Sequence, residues 1–292
     1  MTPTLVRQHS SHARATPGVD LDARARDWSE IQERMLVPLY EAVYERLDVG
    51  DGTRMLGLGC GSGLALLMAA SRGAAVTGVE SGSPERLALA RQRLLPEAPG
   101  ERSGERSVPA RTDARIVEGD PREARDPSAP AFTLVTAFEP IGCLAGDSEG
   151  LGELLAEATP LAARGAAVVL AGWGPPERCA TTSVLRVATK LADPLRSAGS
   201  WRPALRDDLE EVAHRAGLAP DGSGRVACPF GYADVASAVR GLLSTGLFDA
   251  AIAATDQEQV DKELTEALHP HRRPDGTVWM PNVFRYLVAR IR

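Results

Sequence analysis

Lysine is almost missing from this chain. Of 33 basic residues only Lys190 and Lys262 are lysines; the rest are arginines. Acidic residues number 39, which leaves a net charge of −6 at neutral pH. That sign argues against a general nucleic-acid binder, which needs a positive face. Aromatic residues make up only 4% of the chain, so stacking platforms for bases are scarce as well. Long apolar runs are lacking too. The longest, Leu64–Ala70 and Ala166–Ala171, fall far short of the roughly 20 residues that span a bilayer. The N-terminus has no apolar stretch of signal-peptide type. The expectation is a soluble, cytoplasmic protein with neither a membrane nor a nucleic acid as partner. The four cysteines, Cys60, Cys143, Cys179 and Cys228, form no C-x-x-C pair, so they read as free thiols and no metal site is expected.

What is present is ordinary globular composition, 43% apolar and 25% charged over 292 residues. The Ala-, Gly- and Arg-rich usage is that of a GC-rich bacterial coding sequence. Residues 1–25 are polar and aperiodic and read as a flexible tail, with His9 and His12 as solvated tail residues. Residues 26–292 read as one domain, because no linker divides the apolar pattern. From Asp27 to Leu47 apolar residues recur at helical steps, with a break expected at Pro38. A strand, Arg54–Leu58, runs into Gly59-Cys60-Gly61-Ser62-Gly63, and a helix, Leu64–Ser71, follows. Ala74–Val79 reads as a strand and Pro84–Leu95 as a helix capped by Ser81 or Ser83. Residues 96–113 form a polar loop. Strands follow at Arg115–Glu118, Phe132–Ala137 and Ala166–Ala171, with a helix at Leu151–Leu161. Helices are expected at Ala180–Ala192, Leu205–Ala216, Ala233–Leu243 and Gln257–Leu268. A sixth strand is expected at Val226–Pro229, and a last one at Val278–Ile291 with a kink at Pro281-Asn282. Short apolar strands alternating with helices predict an α/β fold: a three-layer sandwich on a mostly parallel seven-stranded sheet, with an antiparallel last strand and helical insertions.

The strongest local signal is the glycine-rich turn. Glycine permits positive φ, and without a Cβ it lets a ligand lie on bare backbone. The helix that follows offers free N–H groups, which attract a carboxylate or phosphate. Glu80, at the end of the second strand, is placed to accept hydrogen bonds from two ribose hydroxyls. The dinucleotide pattern G-x-G-x-x-G fails in every register: the sixth position is Ser62, Leu64 or Leu66. A nicotinamide-linked oxidoreductase is therefore the weaker alternative.

Leu58-Gly59-Cys60-Gly61-Ser62-Gly63, Glu80-Ser81, Leu87 through Arg91, Glu118-Gly119-Asp120 and the strand Phe132–Ala137 stand in order. Together they resemble the motifs of class I S-adenosylmethionine-dependent methyltransferases. The resemblance covers residues 28–175 and is nearest to the type 11-like small-molecule group, where a Trp-bearing N-terminal helix precedes the core as Trp28 does. It implies a Rossmann-like fold and S-adenosyl-L-methionine as cofactor. It places Gly57, Gly59, Cys60, Gly61 and Gly63 against the methionine part, Glu80 and Ser81 at the ribose, and Asp120 and Pro121 at the adenine. Ala137, Phe138 and Glu139 would lie near the amino-acid portion and the transferred methyl. The family commonly carries an acid where this chain has Gly57, and the resemblance implies either a weaker hold on the cofactor or a shift of that acid's work to Glu139. The resemblance divides the chain into a cofactor core at about 50–175, acceptor-side helices and a lid at about 176–275, and the final strand 278–291.

In-line transfer of a methyl needs alignment and exclusion of water before it needs a particular base. No catalytic residue is therefore singled out. His214, His269 and His271 read as surface or packing residues, and Asp207, Asp208, Glu210 and Glu211 as a solvated helix face. The partner is a small-molecule acceptor, expected to be largely apolar and walled by Trp28, Trp173, Phe230 and Tyr232. Tyr40, Trp201, Phe248 and Trp279 are further large side chains, and Phe230–Phe248 is expected to form a lid. A non-catalytic binder of the same cofactor is the second alternative. Oligomeric state, and O-, N- or C-methylation, stay open.

Overall fold

Runs of apolar residues in β1 (Arg54–Leu58) and β5 (Ala162–Trp173) put alternate side chains on opposite faces of one sheet. Met55 and Val169 enter one apolar layer, Leu56 and Leu170 the other. Both layers are covered by helices, which is why these strands are apolar throughout rather than alternating. The computed structural model describes residues 20–95, 113–142, 147–192 and 208–292. Cys143, Trp201 and Asp207, most of the tail, and nearly all of the expected loop 96–113 lie outside them.

The large sheet has seven strands in the order β3-β2-β1-β4-β5-β9-β6. Its other members are β2 (Ala75–Glu80), β3 (Ala114–Glu118), β4 (Phe132–Ile141), β6 (Ala219–Ala227) and β9 (Val283–Arg290). β1 to β5 pair in parallel, and β9 runs antiparallel between β5 and β6. Both neighbours of β1 are thus later strands, and a crevice opens beyond its carboxyl end, where ligands of such sheets bind. α3 (Leu64–Ser71), α4 (Pro84–Leu94) and α6 (Thr181–Ala192) cover one face; α5 (Asp147–Ala158) and α7 (Asp208–Arg215) cover the other.

Four expectations are corrected. The tail read over residues 1–25 becomes helical at α1 (Leu21–Asp27), because Asp20 caps it by accepting from the Ala23 N–H at 2.9 Å. α1 continues through a π-helical turn, Trp28–Gln32, and a 3-10 turn, Glu33–Leu36, into α2 (Val37–Arg46). The irregular turns therefore precede Pro38, which sits in the first turn of α2 where its missing N–H costs nothing. The sixth strand starts seven residues before the expected one. As a sheet edge it keeps polar and small residues such as Asp221 and Ser223, which carry no apolar signal. The single last strand is two. β8 (Val278–Met280) pairs with β7 (Phe230–Tyr232) in a separate ribbon, and Pro281-Asn282 carries the chain into β9.

Asn282 makes that crossing with every polar group engaged. Its Oδ1 accepts from the Thr181 N–H at 3.1 Å, and its Nδ2 donates to Thr181 Oγ1 at 2.8 Å and to the Met280 carbonyl at 3.2 Å. Between β7 and β8 the chain forms α8 (Val235–Leu243), α9 (Asp249–Ala254) and α10 (Gln257–Leu268). Cys60, Cys179 and Cys228 are free thiols. Among the described residues no helix is long and apolar enough to cross a membrane, and no cluster could hold a metal ion.

Candidate cofactor and acceptor site

β1 ends at Leu58, and the chain turns through Gly59 at φ +58°, Gly61 at +55° and Gly63 at +81°. These are left-handed conformations that only glycine adopts without strain. The turn is fastened to its neighbours: the Cys60 N–H donates to the Val79 carbonyl at 3.0 Å and the Gly61 N–H to Glu80 Oε2 at 2.9 Å. Glu80 Oε1 accepts from the Gly82 N–H at 2.8 Å. Each Glu80 oxygen thus keeps a lone pair for another donor.

The N-terminal helix lies across this turn. Glu33, 2% exposed, accepts on Oε1 from the Ser62 N–H at 3.2 Å and the Leu64 N–H at 3.4 Å, while Ser62 Oγ donates to Oε2. Arg93 from α4 joins it, donating to Glu33 Oε2 at 3.1 Å, to the Ser62 carbonyl at 2.8 Å and to Ser29 Oγ at 2.7 Å. Burial raises the Glu33 pKa, and its bonds to Ser62 and Arg93 oppose that rise. A Cβ on Gly61 would meet Trp28 Nε1 at 3.1 Å and Glu33 Oε1 at 3.2 Å, so this glycine makes room for the chain's own side chains. The helix N-terminus expected to attract an anion already has one, the Glu33 carboxylate.

A cavity of about 560 Å³ opens beside the turn, within the roughly 300–1,000 Å³ usual for small-molecule sites. Gly57, Gly59, Cys60 and Gly61 form one wall, and Glu80 and Ser81 another. Trp28, Phe138 and Glu139 face it as well. The Arg86 guanidinium lies over the Trp28 ring at 4.1 Å and donates to the Ser244 carbonyl. Arg24 pairs with Asp249 at 2.9 Å, bringing α1 and α9 together over the opening. Glu139 is exposed into the cavity and presents its carboxylate there. Desolvation in the cavity and the neighbouring Glu80 raise its pKa; Arg86 opposes that. Two buried polar atoms of the wall, Trp28 Nε1 and Thr136 Oγ1, have no partner among the described residues.

Other expected site residues lie elsewhere. Gly63 faces α4, where a Cβ would stand 3.1 Å from Ala90 Cβ and Leu94 Cδ1. Ala137 is buried in the layer on the opposite side of the sheet. Asp120 is exposed and Pro121 is buried, and of this segment it is Glu118 that lines the cavity. Trp173 and Phe230 pack edge-on at 5.9 Å, and Trp173 lies 4.6 Å from Phe284, inside the core rather than on the cavity. The buried Tyr232 hydroxyl donates to Gln32 Oε1 at 3.0 Å. These three aromatics tie β7 and the N-terminal helix to the large sheet. In the expected lid, Thr245 and Gly246 reach the cavity, as does Asp249 just beyond its end, while Phe230 and Tyr232 do not. His214, His269 and His271 are likewise outside its wall.

Glu33, Arg24, Arg86, Arg93 and Asp249 were not singled out from the sequence. One signal was available: Ser29, Gln32 and Glu33 stand at i, i+3 and i+4, a polar stripe on one helix face, and all three are buried.

No protein-family model matches the chain, and no curated protein sequence matches it. Solved structures do. A provisionally assigned methyltransferase from Bacillus halodurans C-125 shares 15% identity, with 85% of this chain and 97% of that one covered and a TM-score of 0.50. YjhP from E. coli shares 17% identity, over 92% and 99% of the two chains, with a TM-score of 0.52. Phosphoethanolamine N-methyltransferase 2 of Haemonchus contortus, solved with S-adenosyl-L-methionine, shares 16% identity over 92% of this chain and 57% of its own, with a TM-score of 0.50. With the strand order and the reversed β9, these similarities identify the fold as that of the class I S-adenosylmethionine-dependent methyltransferases.

Proposed function

We propose that the protein transfers a methyl group from S-adenosyl-L-methionine to a small molecule, as a single domain that takes in α1 and a member of the type 11-like group. The observation that carries this reading is the Glu33 carboxylate bound to the Ser62 and Leu64 N–H groups. A dinucleotide would need those N–H groups for its pyrophosphate, and Glu33 would repel it. A sulfonium cofactor makes no such demand and is itself cationic.

The residues present fit that cofactor. A Cβ on Gly59 would meet only Glu139 Oε2, at 3.6 Å, so the backbone there faces the cavity bare. Gly59 is thus the cradle for the methionine part, and Gly61 is not. Glu80 has lone pairs for the two ribose hydroxyls, and Glu118 stands beyond it on the adenine side. Trp28 and Thr136 each hold a polar group in reserve. Bound there, the cofactor supplies an electrophilic methyl on a positively charged sulfur. The chain's part is to hold the donor and to exclude water with the Trp28 and Arg86 cover.

Calorimetric titration tests this. S-adenosyl-L-homocysteine should bind in the micromolar range, Gly59→Val should abolish binding, and NAD should give no heat. Absence of binding to the wild-type protein at millimolar concentration would end the reading.

A further inference from the structure

Among the described residues the wall of the cavity carries six carboxylates, Glu33, Glu80, Glu85, Glu118, Glu139 and Asp249, against two guanidiniums. Neither guanidinium is spare. Arg24 is paired with Asp249, and Arg86 is stacked on Trp28 and bonded to the Ser244 carbonyl. Among the described residues no lysine or histidine faces the cavity. Arg86 also faces Glu139 and Glu80, so an anionic acceptor would enter against a net negative field. Beside Glu139, Tyr40 and Phe138 hold their rings 4.8 Å apart at a tilt of 55°, an apolar and electron-rich wall suited to an organic cation. Glu33 gives its oxygens to the turn and to Arg93, and the lone pairs left on Glu80 are those assigned above to the ribose. Glu139 has no hydrogen-bond partner among the described residues and stands 3.6 Å from the Cβ position of Gly59, at the proposed cradle.

We propose, resting on the methyltransferase reading above, that the acceptor is an amine with an apolar body, and that Glu139 holds its ammonium group and takes its proton. A protonated amine passes one proton to a Glu139 oxygen. The freed nitrogen lone pair forms the N–C bond to the methyl. The C–S bond breaks with its electron pair going to sulfur, which leaves as a neutral thioether, and the positive charge ends on the methylated nitrogen. Desolvation in the cavity and the neighbouring Glu80 push the Glu139 carboxyl above its ordinary value, the direction that makes it a better proton acceptor.

The test uses the full chain saturated with S-adenosyl-L-homocysteine and three probes of one shape: benzylamine, benzyl alcohol and benzoate. Benzylamine should bind about tenfold or more tighter than benzyl alcohol, and benzoate weakest. Glu139→Gln should bring amine and alcohol to within about threefold of each other, and Glu139→Asp should keep the preference. Circular dichroism of each variant secures that it is folded. Equal binding of the three probes, preference for benzoate, or no probe binding overturns the proposal while leaving the cofactor reading standing. Glu139→Gln that no longer takes up the homocysteine product also overturns it, because Glu139 then serves the cofactor. Failure of the wild-type chain to take up that product defeats the underlying reading instead.

Discussion

Glu33 caps α3 across 29 residues of sequence: the Ser62 N–H points at its Oε1 from 3.2 Å, and Ser62 Oγ reaches its other oxygen. The N-terminal helix therefore finishes the glycine turn. Replacing Glu33 by Ala leaves Arg93 without its counter-ion and the Ser62 N–H without an acceptor. It should destabilise the protein by about 3 kcal/mol, the low end for breaking a buried pair because Arg93 keeps some access to water. Urea denaturation at pH 7 measures it.

Glu33 also sets a pH dependence. Burial raises its pKa in the folded protein above 4.5. The folded state thus holds this proton more tightly than the unfolded chain. The proton-linked part of its stability is complete below pH 4.5 and is lost as pH climbs through the raised folded-state value. Glu33→Gln removes the titration, so the difference in urea midpoint between variant and wild type should change across pH 4 to 8. Parallel profiles would refute this.

Gly59 and Gly61 should fail in different ways. Alanine at either forces a positive φ and costs about 1–2 kcal/mol. At Gly61 it also pushes against Trp28 and Glu33, so the greater loss is of stability. At Gly59 it projects toward the cavity, so the greater loss is of affinity for S-adenosyl-L-homocysteine. Melting temperatures and dissociation constants of both variants decide the matter; equal losses on both scales would contradict it.

Cys60 faces the cavity yet should be inert. Burial, with Glu80 and Glu33 adding to it, pushes the thiol up to about 12. At pH 8 only about one molecule in ten thousand carries the thiolate, the reactive form. Peptide-resolved alkylation with iodoacetamide should leave Cys60 unmodified on the time a free cysteine reacts fully. Rapid labelling of the folded chain would show the prediction wrong.

Asn282→Ala should cost about 2–3 kcal/mol, since the buried Thr181 N–H loses its acceptor. The site lies outside the cavity wall, so homocysteine-product affinity should stay within about twofold of wild type. Denaturation and calorimetry on one preparation give both numbers.

The sheet was legible because each central strand is apolar on both faces and ends in a glycine or an acid, as Leu58-Gly59 and Val79-Glu80 do. The turn was legible because positive φ demands glycine. The cover was not. Trp28 could be placed on a helix, but nothing local says that it meets Gly61, or that Arg86 lies over it. Such contacts are made by the fold, across tens of residues. Trp173, Phe230 and Tyr232 show the converse. Large aromatics at strand ends suit a pocket or a core equally, and here the junction of two sheets needed filling. Polar β6 had no pattern to find, because an edge strand is held by backbone bonds to β9 rather than by burial.

The β7–β8 ribbon has a consequence for how this chain can change. Tyr232, where the helical segment departs, stands directly across from Val278, where it returns. A stretch whose two ends are already clasped together behaves like a detachable cassette: it can be lengthened, shortened or traded for another without redrawing the seven-stranded frame. Selectivity can then drift in the segment that reaches over the opening, while the half that grips the donor stays as it is.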